Sequence, residues 1–183
     1  SEITDDFVGC PFYTCNNGAV KYSGKAGCIQ YCSFADETDG THAVPNPGCL
    51  LTKEISVGST TMTVSGDKTS NPLNELASSG THRHFFSYSG GELHVHYLRL
   101  TFGFSNINGG SILIYNGGAA DIVGSYFVNA VCAGDNSNGG ALRTGEDVEL
   151  TIIDSTFENC RALKGGALYL RGPATIENTK FIS

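Results

Sequence analysis

The stretch GGALRTGEDVELTIIDSTFEN, Gly139–Asn159, repeats without a gap the pattern of GGSILIYNGGAADIVGSYFVN, Gly109–Asn129. Ile112 falls on Leu142, Ile122 on Ile152, Val123 on Ile153, Ser125 on Ser155, Phe127 on Phe157 and Asn129 on Asn159. A third copy, GGALYLRGPATIENTKFIS from Gly165 to Ser183, puts Leu168 on Leu142 and needs a two-residue deletion to bring Ile176 and Phe181 into line. Upstream, GGELHVHYLRLTFGFSN from Gly90 to Asn106 reads as a shorter copy whose phase lies with either Phe102 or Phe104. Internal repetition at 26 to 30 residues (Gly139 to Gly165, Gly109 to Gly139) is the mark of stacked structural units.

The distance from Gly-Gly to Phe is 18 residues in the first two of these three copies and 16 in the third, while Phe to the next Gly-Gly shortens from 12 to 8. Strands must stay in register with the coil below, whereas a loop pointing outward need not. The short pieces Ser111–Ile114, Glu149–Ile153 and Ala167–Leu170 are too brief for helices and carry β-branched or alternating apolar residues. The sequence therefore predicts an all-β, right-handed parallel β-helix. Its core stack is Ile112, Leu142 and Leu168; Ile122, Ile152 and Ile176; Phe127, Phe157 and Phe181. Equivalent side chains lie one rung, about 4.8 Å, apart. The Gly-Gly doublets supply positive φ or close backbone approach at corners. Asn129 and Asn159, two residues after the phenylalanine, are expected to turn the chain and stack as a ladder.

Between residues 50 and 89, Glu54–Val57, Thr61–Val64 and His84–Tyr88 read as strands of the first, irregular coils. The expected organisation is a cysteine-rich, loop-rich N-terminal cap over 1–49 and parallel coils over 50–183. A cap is needed because the first coil of a solenoid exposes unpaired backbone and apolar surface. The chain opens at Ser1 without a methionine, which reads as a mature or trimmed product, and stops directly after a core phenylalanine, which calls for further coils or a covering subunit.

Composition agrees. Glycine accounts for 24 of 183 residues, nearly twice the usual share of about 7%, so turns are frequent. An apolar fraction of 40%, with ten Phe and eight Tyr, is enough to offset the entropy of ordering. The net charge of −7 leaves no basic stripe for nucleic acid, and no apolar run reaches the ~20 residues of a membrane span. There is no Asn-x-Ser/Thr sequon; O-linked sugar on Ser59–Thr69 is left open.

Five of the seven cysteines, Cys10, Cys15, Cys28, Cys32 and Cys49, lie in the first 49 residues. That density points to an oxidising, extracellular compartment. Cys28 and Cys32 lack a second pair at zinc spacing. Connectivity within the cap stays open, and the odd total leaves one cysteine unpaired or paired outside the chain. Cys132 and Cys160, at offset places one coil apart, are expected to bridge two rungs.

The elements GGAL at Gly139–Leu142 and Gly165–Leu168, with TFEN at Thr156–Asn159, resemble the repeat of the chlamydial polymorphic outer-membrane proteins, which pairs GGA-plus-aliphatic with FxxN. The likeness covers Gly90–Ser183. The asparagine stands one place early here, with Ala130 and Cys160 at the family's position. The resemblance implies a β-helix of a cell surface or the extracellular space, used for adhesion or as a passenger stalk.

Chemistry is sparser. His82 and His84, then His94 and His96, form two i, i+2 pairs, each on one side of a strand. The pattern favours ordinary surface histidines; a metal site would need the pairs to converge, or a carboxylate such as Glu92. No cofactor is assigned. Asp135, Asn136 and Asn138 in the corner Ala130–Asn138 lack the ligand spacing of a calcium loop. Arg143, Arg161, Lys164 and Arg171 read as solvated charge, and acids do not stack at a repeated place: Asp154 meets Asn178, and Asp121 meets Thr151. No catalytic residue is therefore assigned. The expected function is a non-catalytic extracellular structural protein that associates with itself or other surface proteins as a filament, coat or adhesin. The alternative is a carbohydrate-active, pectate-lyase-like or glycan-binding β-helix.

Overall fold

The computed structural model describes residues 28–183 and, before them, the segments 3–4, 12–14 and 20–22, with side chains from residue 31 onward. Every regular element among them is a strand. Each coil visits three parallel sheets in turn. The first sheet holds Ile55–Val57, Phe85–Ser87, Ile112–Ile114, Leu142–Thr144 and Leu168–Tyr169, which begin five full coils. The second holds Gly40–Ala43, Thr61–Ser65, Glu92–His96, Ala119–Val123, Glu149–Ile153 and Ala174–Glu177. The third runs through Cys28–Tyr31, Gly48–Leu51, Asn74–Ser78, Leu98–Thr101, Tyr126–Val128, Thr156–Glu158 and Lys180–Ile182. Antiparallel segments Val20–Tyr22, Phe12–Thr14 and Ile3–Thr4 extend it at the N-terminal edge. The chain is a parallel β-helix, as the repeat requires.

Register agrees with the sequence at all three expected columns: Ile112 pairs with Leu142 and Leu142 with Leu168, Ile122 with Ile152 and Ile152 with Ile176, Phe127 with Phe157 and Phe157 with Phe181. The Phe127 and Phe157 rings stack at 4.7 Å and Phe157 and Phe181 at 5.4 Å, each pair tilted by 11°. Burying one such side chain contributes about 1.5–3 kcal/mol, and no coil could do this alone.

The doublet glycines divide the work at the corner. Gly109, Gly139 and Gly165 take φ of 55°, 70° and 61°. Gly140 has ordinary φ, but a Cβ there would lie 2.1 Å from the Gly166 carbonyl oxygen. From the second coil onward two further corners are left-handed: Tyr97, Gly124, Asp154 and Asn178 at one, and Phe102, Asn129 and Asn159 at the other. Asparagine tolerates this region better than most residues, which is the physical reason for Asn129 and Asn159. Ser125 and Ser155 line the first of these corners, the Ser125 amide donating to the Ser155 hydroxyl at 3.2 Å and the Ser125 hydroxyl to the Val123 carbonyl at 3.0 Å.

Three expectations need correcting. The Gly90-Gly91 doublet does not match Gly109-Gly110: Glu92 pairs with Ala119, so it falls on Gly117-Gly118. Leu100, not Phe102 or Phe104, fills the place under Phe127, with Leu76 beyond it. Second, Asn74–Ser78, buried throughout, is a strand that the reading of residues 50 to 89 missed. Third, Cys132 and Cys160 are free thiols. The bridge Val131–Arg161 puts Cys160 beside Ala130 and Cys132 two residues further along. Two residues along a strand and one rung across separate the Cα atoms by about 8 Å, beyond disulfide reach.

Parallel stacking reaches back across the expected boundary at 49/50, since Cys49 pairs with Leu76 and His42 with Val64. Cys32 and Cys49 are joined by a disulfide. Cys10, Cys15 and the Cys28 side chain lie outside the described residues. At this end Cys32, Phe34, Ala35 and Val44 are buried as part of the core. At the other, Ile176 is 41% exposed and Phe181 54%.

Candidate functional site

The two histidine pairs meet different fates. His82 and His84 occupy the corner between the third sheet and the first. His84 is wholly buried, contrary to its reading as a surface residue, and its Nε2 lies 3.0 Å from the Leu76 carbonyl oxygen, to which it donates. Burial, with His82 nearby, pushes its pKa down to about 3. His82 turns its Nδ1 to the Arg83 carbonyl at 2.8 Å, and Arg83 pairs with Glu54 at 2.8 Å. Burial raises the Glu54 carboxyl above its usual range despite that partner. Among the described residues neither histidine of this pair joins a group that could hold a metal.

His94 and His96 face outward from the second sheet, where period-two alternation sends Leu93 and Val95 into the core. The pairs do not converge. What arrives instead is Asp121, directly beside His94 on the next rung. His94 Nδ1 contacts Asp121 Oδ1 and His96 Nε2 contacts Asp121 Oδ2. The geometry follows from the sheet: the histidine alongside the aspartate reaches it with its near nitrogen, and the one on the diagonal uses its far nitrogen. All three side chains are a little under one-third exposed. Among the described residues this is the one group of three or more His, Cys, Asp or Glu gathered closely enough to hold a metal ion.

Burial, with the His94 ring beside it, lowers the His96 pKa and favours the neutral imidazole. Neutral imidazole is the form that ligates metals. Glu92, the carboxylate named from sequence, sits two places before His94 and accepts a hydrogen bond from Thr61 at 3.1 Å. Thr63 and Thr151 flank the cluster in register, beside His94 and Asp121 respectively. The sequence held the signal for Asp121: sliding GGELHVH, 90–96, onto GGAADIV, 117–123, rather than onto Gly109 puts His94 on Asp121.

Elsewhere the outer faces are occupied by local pairings. Arg143, read as solvated, lies over the Tyr115 ring at 4.8 Å and the Tyr169 ring at 5.8 Å. Arg171 pairs with Glu146. In the long corner, the Asn138 amide donates to Asn108 at 3.0 Å, tying two rungs. No helix among the described residues is long and apolar enough to cross a membrane. No protein-family model matches the sequence, no curated protein matches it, and no solved structure matches it.

Proposed function

We propose that the chain is a non-catalytic structural module of the cell surface or extracellular space, a β-solenoid that associates with copies of itself or with other surface proteins. The observation that carries this reading is Phe181. One face of its ring stacks on Phe157, yet the side chain is 54% exposed, as are Ile176 and Ile182 by 41% and 46%. The surface that fits such a face is another apolar β-coil, of this protein or of a second copy. Contact between identical coils is two-fold and closes at a dimer; a filament or coat requires lateral contacts as well.

The Cys32–Cys49 disulfide and the resemblance of the GGAL and TFEN elements to surface-protein repeats support an oxidising, extracellular setting. Sedimentation over a range of concentrations tests the reading. Wild type is expected to pass from monomer to dimer, and the double variant Ile176→Lys with Phe181→Lys to stay monomeric with its β-sheet circular dichroism kept. A wild-type chain that remains monomeric throughout the micromolar range overturns self-association.

A further inference from the structure

We propose that His94, His96 and Asp121 form a zinc site that ties the second coil to the third. Two imidazole nitrogens and one carboxylate converge from adjacent strands, with their donor atoms all within 4.8 Å of one another. Donors bound to a tetrahedral zinc stand about 3.3 Å apart, so the His94–Asp121 and His96–Asp121 contacts must part for the ion to enter between them. Two nitrogens and one hard oxygen suit zinc or a neighbouring divalent transition metal better than calcium or magnesium, which prefer oxygen throughout. Three protein ligands leave one position for water or an incoming group.

Placement on the outer face of the second sheet supplies what such a site needs. Strand pairing fixes the backbone of all three ligands, so little order has to be imposed when the metal arrives. The sheet face is also negative near the cluster: Glu92, Ala119 and Glu149 form the adjoining outward column, with acids on either side of the alanine. Two neutral imidazoles and one carboxylate around zinc leave a single positive charge in a protein of net charge −7.

The test is calorimetric titration of the folded chain with zinc chloride, repeated with cobalt(II) followed by absorption. One zinc per chain is expected, with cobalt bands of nitrogen and oxygen ligation and no thiolate-to-cobalt charge transfer, which separates this site from cysteine. His94→Ala, His96→Ala and Asp121→Asn should each weaken binding at least tenfold, and His82→Ala should leave it unchanged. Because the ligands span two coils, zinc should also raise the melting temperature of wild type and not that of Asp121→Asn, a near-isosteric change that keeps the fold. Absence of stoichiometric binding, a thiolate band, or full binding by Asp121→Asn would each overturn the proposal.

Discussion

The fourth and fifth coils carry nearly the same residues at the same places, yet they sit in different environments. Leu142, Ile152 and Phe157 are at most 1% exposed, whereas Ile176 and Phe181 are 41% and 54% exposed. Register, corner conformation and ring stacking continue from one coil to the next without change. Burial in a solenoid is thus a property of a coil's two neighbours, and an apolar side chain on a terminal rung obtains half of what the same side chain obtains inside.

The strongest way to break this comparison is to truncate the two phenylalanines. Phe157→Ala removes a ring packed on both faces and should cost about 4 kcal/mol in urea unfolding. Phe181→Ala loses one stacking contact and should cost about 1 kcal/mol. Equal costs would mean that the fifth coil is covered in solution. A second pair sharpens the point at the backbone. An alanine at Gly140 puts its Cβ against the Gly166 carbonyl oxygen, while one at Gly166 first meets the Cys160 carbonyl at 3.7 Å. Gly140→Ala should cost about 2–3 kcal/mol and Gly166→Ala close to nothing, by the same unfolding measurement.

His84 tests how well the inner coils are sealed. Its folded pKa of about 3 lies below the unfolded value near 6.5. The unfolded chain therefore binds the proton first on acidification. The stability that His84 contributes is complete above pH 6.5 and is lost as pH falls from there toward 3. Stability at pH 5 should be about 2 kcal/mol lower than at pH 7.5 on this account, and His84→Gln should flatten the slope. A slope unchanged in that variant would mean that water already reaches the site.

The parts legible in the sequence were those where one coil matches the next at constant spacing. The shift from Gly109 to Gly139 is the same for all three sheets, so Ile112, Ile122 and Phe127 could each be laid on the right partner. Between the second and third coils the doublets are not homologous corners. Gly90-Gly91 precedes the second sheet and Gly109-Gly110 precedes the first, so matching them moved every residue of the second coil out of place. Asn74–Ser78 was hidden for another reason: NELAS lacks the alternation of a half-buried strand because both its faces are covered, including that of Glu75, whose carboxylate accepts a hydrogen bond from Thr101.

By itself the sequence determined the architecture and the identity of the inner columns, because apolar side chains recurring at coil length have one economical arrangement, directly over one another. Which polar side chains share an outer face was decided only by the tertiary structure. A slip of two residues along a strand keeps the same apolar side chains facing inward but changes every outward neighbour. His94 and Asp121 are 27 residues apart and meet only because the strands Glu92–His96 and Ala119–Val123 lie side by side in that one register.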